Sequence, residues 1–579
     1  MKIAIAKTAG FCMGVRRAVE LALDAANTSK DPIYSFGPLI HNPQVLSLLE
    51  EKGVSVIDRI PAKGSGTVLV RAHGVPPEIK VKLKKAGFKI IDATCPRVIK
   101  VQTIIRKHAK QGYASVIVGD KDHPEVVGLL GYAEGHGYVV DNLETLDSLP
   151  SFQKAIIVAQ TTQNIHLFED VQKWVDQKFP HYKVFDTICD STEKRQTEVL
   201  RLAQDVDSVI VVGGKDSGNT RRLAAMAAQA GKPSFHIETE SELDPQALKS
   251  FQHVGIAAGA STPNWIITKV FRTLERMPYQ HPRNLRTLLF KIQRNLLLTN
   301  IYVALGAGSL CYANTRLLGI ADYRPHILIS ILYVLSMHIL NHLIGQKADM
   351  YNDPDRALFY QRYKVQLSFL ATVAGASGLV TAFALGLSPF IILLCMSLLG
   401  LSYNLTFVPK RMKRIRYRRL RDIPGSKTVL IALAWGIVPS ALPQLSESPI
   451  FGIKAVIVFI WATGMVFVRT AFFDILDMQG DRIIGKETIP ILVGEKSAMR
   501  HLVIALAIIV TVLLGSALTQ LIPALGFALI ICPVFMFIVL YIHQRGHMLP
   551  GIRLEFLVES NFILAGILTF LWCMVLPMH

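Results

Sequence analysis

Nine long apolar segments, separated by short polar loops, occupy the second half of this 579-residue chain. Most of them approach the ~20 apolar residues that an α-helix needs to cross a bilayer. They predict an all-α polytopic membrane domain of about nine transmembrane helices. The predicted spans are about 296 to 313, 326 to 344, 366 to 386, 388 to 408, 428 to 446, 450 to 471, 502 to 520, 522 to 543 and 556 to 576.

The chain before these segments has a different pattern. Up to about residue 278, short β-rich apolar runs alternate with polar helical stretches, which is typical of an α/β domain. A chain of this length is expected to hold at least two domains. The sequence therefore predicts an α/β domain over 1–278, a linker over 279–295 and the membrane domain over 296–579.

A strongly basic stretch, residues 410–421, lies between the fourth and fifth predicted spans. The positive-inside rule places it in the cytoplasm, and with nine spans the amino-terminal domain lies there too. The residues after Met1 form no signal peptide. Much of the net charge of +19 lies in loops that flank the membrane segments, so anionic lipid headgroups explain it better than nucleic acid. We therefore predict a multi-pass protein of the cell inner membrane, with membrane lipids and no nucleic acid as partners.

Polar residues follow the apolar runs of the first domain. Seven runs are each followed by a residue that can bind a ligand: Cys12, His73, Cys95, His123, Thr161, Ser217 and Ser261. In α/β folds ligands bind outside the carboxyl ends of the strands, so these side chains are expected to share one pocket.

Three cysteines, Cys12, Cys95 and Cys189, are separated by 83 and then 94 residues. The near-equal intervals predict three similar α/β lobes around a central site, each contributing one thiolate. In a reducing compartment such thiols are metal ligands or buried thiols rather than disulfides. Three thiolates suit a cubane iron–sulfur cluster with one open iron, although four-cysteine ligation is more usual. Three unrelated buried thiols remain the alternative.

Six short motifs occur in this first domain. They are Gly10-Phe11-Cys12-Met13-Gly14-Val15, Ala72-His73-Gly74-Val75, Asp92-Ala93-Thr94-Cys95-Pro96, His123-Pro124-Glu125-Val126, Gln160-Thr161-Thr162 and Gly259-Ala260-Ser261. As an ordered series they closely resemble the LytB/IspH family, the 4-hydroxy-3-methylbut-2-enyl diphosphate reductases, over residues 1 to about 278. The resemblance implies a three-lobed iron–sulfur reductase that acts on a small-molecule diphosphate.

This resemblance implies a reductive dehydroxylation, in which two electrons are added and the substrate hydroxyl is lost, giving isopentenyl and dimethylallyl diphosphate. Cys12, Cys95 and Cys189 would hold a 4Fe–4S cluster whose open iron binds the hydroxyl oxygen as a Lewis acid. Glu125 matches the proton source, whereas an isolated glutamate would more simply be a solvated loop carboxylate. A reduced ferredoxin or flavodoxin would supply the electrons.

The resemblance also implies a diphosphate pocket with donors on several sides. The matching residues are His41, His73, His123, Thr161, Ser217, Gly218, Asn219 and Ser261. Thr161 would lie beside the reacting hydroxyl. Ser217 and Asn219 fall at a predicted helix start, where backbone N–H groups favour phosphate, although either residue could also be a simple helix cap. Many family members have a second serine where this chain has Gly218, so the N–H is kept and the hydroxyl is lost.

Residues from about 285 to the end resemble the UbiA family of intramembrane prenyltransferases. The clearest match contains Asp474, Asp477 and Asp481, which fall at i, i+3 and i+7 on one helix face. Carboxylates in this arrangement suit Mg²⁺ shared with a substrate diphosphate. A solvated loop is the alternative, but acidic residues at the end of an apolar span normally mark a functional site.

The other acidic motif of the UbiA family is altered. His342 and Gly345 replace two expected acids, so that Asn341 and Asp349 remain. One hypothesis is that the membrane domain still transfers a prenyl group to an acceptor. The altered residues favour a second, in which it is a non-catalytic anchor or lipid-binding domain for the reductase.

Two basic residues after the fourth predicted span, Lys410 and Arg411, could contact a diphosphate or serve as a positive-inside anchor. For the first domain, a different iron–sulfur reductase on the same scaffold is a further alternative. Glu125, Thr161 and the three pocket histidines argue against it.

Overall fold

The computed structural model describes residues 1–277, 285–403, 423–486, 488–545 and 551–575. By their internal contacts these residues belong to two units, Met1–Gln280 and His281–His579. A helix, Leu285–Leu298, occupies most of the predicted linker 279–295. The predicted domain bounds stay a prediction.

Twelve short strands run through the first unit. They are β1 Lys2–Ile5, β2 Ile33–Phe36, β3 Val54–Ile57, β4 Thr67–Val70, β5 Lys89–Asp92, β6 Ala114–Val118, β7 Gly137–Val140, β8 Ala155–Ala159, β9 Lys183–Phe185, β10 Ser208–Val212, β11 Ser234–Ile237 and β12 His253–Ala258. They form three four-stranded parallel sheets, ordered β1-β12-β10-β11 in lobe 1, β3-β2-β4-β5 in lobe 2 and β7-β6-β8-β9 in lobe 3. The predicted three-lobed α/β fold is confirmed.

Helices follow and cover these strands. They are α1 Met13–Thr28, α2 Pro43–Glu51, α3 Pro77–Lys85, α4 Pro96–Ala109, α5 Pro124–Leu130, α6 Leu143–Asp147, α7 Ile165–Lys178, α8 Asp190–Asp205, α9 Gly218–Gln229, α10 Pro245–Leu248 and α11 Asn264–Arg276. Every residue of β6, β8 and β10 is buried, as expected for central strands covered on both faces by helices. Proline occupies the first turn of α3, α4 and α5, where its missing N–H costs no hydrogen bond.

The second unit is helical in its described residues. Its helices are α12 Leu285–Leu298, α13 Ile301–Leu318, α14 Arg324–Asn352, α15 Pro354–Arg362, α16 Lys364–Leu385, α17 Leu387–Ser402, α18 Ser426–Gly436, α19 Leu442–Glu447, α20 Ile453–Leu476, α21 Met478–Ile483, α22 Ile489–Val493, α23 Glu495–Leu518, α24 Leu525–Leu529, α25 Ile531–Gln544 and α26 Ile552–Val575. A single π-helical turn, Ile437–Ala441, joins α18 to α19. One large apolar core lies between these helices.

The number of candidate membrane spans is seven in the described residues, or eight if the bent pair α12 and α13 counts as one span, rather than the predicted nine. Two elements account for the difference. The first predicted span is divided, because α12 and α13 meet at 75°. The fourth is represented by α17, whose 16 described residues fall short of the ~20 needed to cross a bilayer. The predicted all-α membrane architecture is otherwise confirmed.

Candidate active sites in the two units

Each of the three cysteines is the N-cap of a helix that follows the edge strand of one sheet. Cys12 lies between β1 and α1, Cys95 between β5 and α4, and Cys189 between β9 and α8. The thiols are half-buried. Helix N-termini carry partial positive charge, so three helices present their favourable ends to an anionic group at this point.

The cysteine loops of lobes 1 and 2 approach closely. A Cβ atom at Gly14 would lie 2.4 Å from Sγ of Cys95, so no other residue fits at position 14 without displacing the thiol. Cys95 also interacts electrostatically with Cys12 and Cys189. Three lobes therefore bring their thiols to a shared site, and thiols at helix N-termini suit the binding of an iron–sulfur cluster by Cys12, Cys95 and Cys189.

The predicted pocket residues follow the two central strands of each sheet. His41 and His73 follow β2 and β4 in lobe 2, while His123 and Thr161 follow β6 and β8 in lobe 3. The pocket residues of lobe 1 follow β10 and β12, and they are Ser217, Gly218, Asn219 and Ser261. Edge strands thus supply the cysteines, and central strands supply the polar pocket.

Three histidines meet in this pocket. The ring centroids of His41 and His73 are 4.8 Å apart, and His123 lies 5.8 and 5.3 Å from them. Burial, with the positive charge of the neighbouring residues, lowers the pKa of His123 to about 4 and that of His73 well below its ordinary value. Burial lowers the pKa of His41 as well. All three histidines are therefore neutral at pH 7.

Their ligand nitrogens lie within 4.8 Å of one another, close enough for one metal ion. The hydrogen bonding of His123 argues against that use. Its Nδ1 accepts the backbone N–H of Glu125 at 3.1 Å, so the proton of the neutral ring is on Nε2. His123 therefore offers a donor to a ligand, which suits an anion rather than a metal.

Several buried polar atoms of the pocket have no hydrogen-bond partner among the described residues. They are Nε2 of His41, Nδ1 of His73, and both Oδ1 and Nδ2 of Asn219. Buried polar groups in native proteins are normally paired, so four unpaired atoms in one pocket indicate a polar ligand. The Ser217 hydroxyl caps α9 by accepting the N–H of Thr220 at 3.4 Å, and its O–H can still donate to a ligand. Ser261 donates to the His41 carbonyl at 3.0 Å.

Glu125 and Thr161 form a buried pair beside the cysteines. The carboxylate of Glu125, 1% exposed, accepts the Thr161 backbone N–H at 2.7 Å and its hydroxyl at 2.8 Å. Burial raises the pKa of Glu125 to about 7, although both hydrogen bonds lower it. The Thr161 carbonyl accepts the backbone N–H of Cys189 at 2.9 Å. One residue thus links a titratable acid to a cysteine loop.

Arg222, on α9, holds this region across the lobes. It donates to both carboxylate oxygens of Asp120 at 2.8 Å and to the Thr162 carbonyl at 3.0 Å. A Cβ atom at Gly218 would lie 3.3 Å from Nη1 of Arg222, so the space beside Gly218 is narrow but filled by a flexible side chain. No sequence motif drew attention to Arg222, because its partners come from another lobe.

In the second unit, the three predicted magnesium ligands lie at the end of one span. Asp474 is in α20, Asp477 joins α20 to α21, and Asp481 is in α21. Asp474 accepts a hydrogen bond from Thr428. Asp481 accepts from Asn352 at 3.3 Å and lies 3.6 Å from the Lys486 ammonium.

A lysine that the sequence analysis did not identify, Lys427, interacts electrostatically with Asp474, Asp481 and Asp477. The acids are thus partly balanced by protein cations. Among the described residues, these aspartates do not form a group placed to hold a single metal ion.

The altered acidic motif forms a hydrogen-bonded chain. Nδ1 of His342 lies 2.8 Å from Asp349 Oδ2, and its Nε2 lies 3.4 Å from Nη1 of Arg356. Arg356 also pairs with Glu555. A Cβ atom at Gly345 would meet nothing within 4 Å, so an acid would fit there. Asn341 is exposed on the same helix, and Lys410 and Arg411 lie outside the described residues.

Curated relatives match the first unit over their full length. The chain is 43% identical over 289 residues to the 4-hydroxy-3-methylbut-2-enyl diphosphate reductase of Opitutus terrae, covering 48% of this chain and 100% of the relative. It is 45% identical over 271 residues to the reductase of the same name from Aquifex aeolicus, covering 46% of this chain and 94% of the relative. A family model described as LytB protein matches residues 3–275.

The chain therefore belongs to the LytB family. We call its first unit the LytB unit. A solved structure of the Plasmodium falciparum reductase is 31% identical, covers 48% of this chain and 89% of that chain, and has a TM-score of 0.46.

A second family model, the UbiA prenyltransferase family, matches residues 300–558. We call this part the UbiA unit. A solved UbiA homolog from Archaeoglobus fulgidus, bound to GPP and Mg²⁺, is 17% identical, covers 48% of this chain and 99% of that chain, and has a TM-score of 0.35. The protein thus joins a LytB unit to a UbiA unit with several candidate membrane spans.

The UbiA unit also contains charged groups that the sequence analysis missed. Arg469 donates from Nε to the Glu559 carboxylate at 2.9 Å, and both residues are buried. The rule that ionisable residues inside apolar spans mark functional regions would have found both.

Proposed function

We propose that the LytB unit converts 4-hydroxy-3-methylbut-2-enyl diphosphate to isopentenyl and dimethylallyl diphosphate. The allylic C–O bond breaks, two electrons and two protons are taken up, and one water molecule leaves. Cys12, Cys95 and Cys189 would hold a 4Fe–4S cluster, which would pass on the electrons of an external donor and offer a Lewis-acidic iron. The proposal rests on the hydrogen bonds of Thr161. Its N–H and hydroxyl donate to the Glu125 carboxylate, and its carbonyl accepts the backbone N–H of Cys189.

Glu125 and Thr161 supply the proton in this proposal. With a pKa of about 7, Glu125 is half protonated at neutral pH and can act as an acid there. When ionised it accepts the Thr161 hydroxyl; when protonated it donates to the Thr161 oxygen. The hydroxyl hydrogen is then free to turn toward the substrate, so the pair acts as a short proton relay.

The diphosphate is bound by neutral donors rather than by a metal. The Nε2–H of His123 and the unpaired side-chain nitrogens of His41, His73 and Asn219 provide hydrogen bonds from three sides. The N-terminus of α9 adds backbone N–H groups and the positive end of a helix dipole. Ser261, Ser217 and Gly218 complete the wall on lobe 1.

Turnover by the full-length protein tests this function. The protein is purified without oxygen, supplied with a chemically reduced dye, and given the allylic diphosphate. We expect both five-carbon diphosphates to form, and Cys95→Ser to lose iron and turnover together. An iron-loaded, folded protein that does not consume the substrate would refute the proposal.

For the UbiA unit, we propose Mg²⁺-dependent binding of an isoprenoid diphosphate at Asp474, Asp477 and Asp481, followed by prenyl transfer to an acceptor. Three carboxylates at the end of a membrane span support this proposal, because such groups are costly unless they serve a polar site. The second candidate is a non-catalytic anchor or lipid-binding domain. It is favoured by the His342–Asp349 pair, which occupies two positions of the altered motif.

Binding of a labelled long-chain prenyl diphosphate to the full-length protein in lipid nanodiscs separates these candidates. Catalytic function predicts binding that requires Mg²⁺ and is lost in Asp474→Asn and Asp477→Asn. The matched control is Asp322→Asn, an exposed acid of the same unit, which should bind normally. Absence of Mg²⁺-dependent binding in the folded protein would favour the anchor.

We further propose that the LytB unit faces the cytoplasm at the inner membrane and receives electrons from a ferredoxin or flavodoxin. Anionic lipids would bind the basic loops of the UbiA unit. This orientation requires an even number of crossings before residues 410–421. It is met when the α12–α13 pair, α14, α16 and the fourth predicted span, of which α17 is the described part, each cross once. A protease added outside intact spheroplasts should then leave the LytB unit uncut, and cleavage of that unit would refute the orientation.

A further inference from the structure

Arg195 is a buried arginine whose two terminal nitrogens donate hydrogen bonds to two different cysteine loops. It lies on α8, six residues after Cys189, and is 5% exposed. Its Nη1 donates to the Ser191 carbonyl at 3.1 Å, and its Nη2 donates to the Gly10 carbonyl at 2.6 Å. The first contact lies in the turn that follows Cys189, and the second lies two residues before Cys12.

A second residue of α8 strengthens the same link. The carboxylate of Glu198 accepts the backbone N–H groups of Lys7 and Thr8 at 2.6 and 2.8 Å. The segment between β1 and Cys12 is therefore attached to α8 at three points. The position of Cys12 relative to Cys189 depends on these contacts, because the two residues come from different lobes.

The positive charge of Arg195 interacts with two of the cysteines and with one carboxylate. Burial opposes its positive charge, and its largest favourable electrostatic interactions are with Cys12 and Cys189, followed by Glu198. A guanidinium stays protonated in proteins, so a buried one needs a negative partner. Glu198 provides one such partner, and the thiolates of Cys12 and Cys189 would provide two more when they bind a cluster, whereas neutral thiols would not.

One donor of Arg195 also remains unused. Its Nε is buried and has no hydrogen-bond partner among the described residues. A buried unpaired N–H costs stability comparable to a lost hydrogen bond, so it indicates an acceptor that binds at this place. Sulfur atoms of an iron–sulfur cluster accept such hydrogen bonds, and these bonds together with net charge set the reduction potential of the cluster.

We propose that Arg195 is a positioning residue that joins the Cys12 and Cys189 loops and donates Nε–H to a sulfur of the bound cluster. This inference rests on the proposed binding of a cluster by the LytB unit. The reduced cluster carries one more negative charge than the oxidised one, so a nearby cation stabilises the reduced form. Removing that cation should make reduction harder.

The test compares Arg195→Gln and Arg195→Lys with Arg201→Gln in the full-length protein. Arg201 is an exposed arginine on the same helix and is the matched control. Iron and sulfide content and the midpoint potential of the cluster are measured by redox titration with electron paramagnetic resonance. We expect Arg195→Gln to shift the potential to more negative values and to release iron faster under a chelator. Arg195→Lys keeps the positive charge but loses the separate Nε, Nη1 and Nη2 donors, so the midpoint potential of the cluster should shift less than in Arg195→Gln.

The outcomes separate the two inferences. An iron-loaded Arg195→Gln protein with the wild-type potential and wild-type iron retention would overturn the role of Arg195 alone. A wild-type protein that binds no cluster when folded would overturn the proposed function and this inference together. If Arg195→Gln does not fold, the lysine variant decides, because an unchanged potential and unchanged iron release in Arg195→Lys would refute the hydrogen bond from Nε.

Discussion

Replacing Glu125 with glutamine tests the proton relay and its electrostatic basis at once. Glutamine has nearly the same shape, and its Oε1 can still accept the Thr161 N–H that Glu125 accepts at 2.7 Å. Its amide can donate to the Thr161 hydroxyl oxygen, so the local fold should be kept. It cannot release a proton at neutral pH. The substitution thus removes the acid and leaves the packing.

The substitution should change both the turnover rate and the stability of the protein. Loss of a general acid typically costs about 10²- to 10⁴-fold in rate, so turnover should fall by at least about 100-fold. The pKa of Glu125 rises from 4.5 to about 7 on folding, which corresponds to about 3 kcal/mol. A raised folded-state pKa means that this stability is present below about pH 4.5 and is lost as pH rises through about 7.

At high pH, the ionised Glu125 carboxylate is buried at a cost in folding free energy that the glutamine variant avoids. Near pH 8, Glu125→Gln should be more stable than the wild type by up to about 3 kcal/mol, and the difference should vanish near pH 4.5. Hydrogen exchange of the β6 and β8 amides, measured by mass spectrometry on the full-length protein, reports opening of this unit alone. Glu193→Gln, on the exposed side of α8, is the control. Wild-type turnover in Glu125→Gln would refute the relay, and a less stable variant at pH 8 would refute the electrostatic reasoning.

Three further predictions concern the two sites. Thr161→Val keeps the backbone N–H to Glu125 and removes the hydroxyl, so turnover should fall by about 100-fold while iron content stays unchanged. Gly218→Ser requires Arg222 to move by a few tenths of an ångström and adds a donor, so KM for the diphosphate should fall, with a stability change below about 1 kcal/mol by hydrogen exchange. Combined His342→Asp and Gly345→Asp restores two acids of the altered motif, the second at a position where an added Cβ atom meets nothing within 4 Å, and Mg²⁺-dependent prenyl diphosphate binding should tighten roughly tenfold, or about 1.4 kcal/mol. Unchanged turnover in Thr161→Val would contradict the first prediction, and weaker substrate binding in Gly218→Ser would contradict the second. Unchanged Mg²⁺-dependent binding in the double variant would contradict the third.

The central strands could be predicted because burial on both faces leaves a continuous apolar run. All seven runs identified in the sequence are strands, and β6, β8 and β10 are buried throughout. Four of the five strands that the pattern misses, β3, β7, β9 and β11, lie at sheet edges, where half of the side chains face away from the core. Edge strands carry weaker periodicity, so most of the missed strands are edge strands, although the edge strands β1 and β5 were found and the central strand β2 was missed.

The cysteine spacing predicted three lobes correctly because each lobe repeats one plan, an edge strand followed by a cysteine and a helix. The residues that position the ligands were not visible in the sequence. Arg195 and Arg222 reach partners 185 and 102 residues away in the chain, and such pairing is set by how lobes meet. In the membrane unit, the length of each apolar run was readable, but the 75° bend between α12 and α13 depends on tertiary packing.

The two units offer opposite chemistry to the same kind of ligand. In the LytB unit, neutral histidines and a helix N-terminus form the proposed diphosphate pocket, and the backbone N–H of Glu125 holds His123 as a hydrogen-bond donor. In the UbiA unit, carboxylates face the site, so a diphosphate can bind there only if Mg²⁺ or a lysine such as Lys427 offsets like charges.

One chelator experiment on one preparation distinguishes these modes. EDTA should leave binding of the five-carbon allylic diphosphate to the cluster-loaded protein unchanged and should abolish binding of the long-chain prenyl diphosphate, which Mg²⁺ but not Na⁺ restores. His41→Asn should weaken only the first and Asp477→Asn only the second, since each removes a group from one site. Long-chain binding that survives EDTA would show that protein cations suffice and would refute the magnesium site, whereas loss of five-carbon binding in EDTA with the iron retained would refute metal-free recognition by the three histidines.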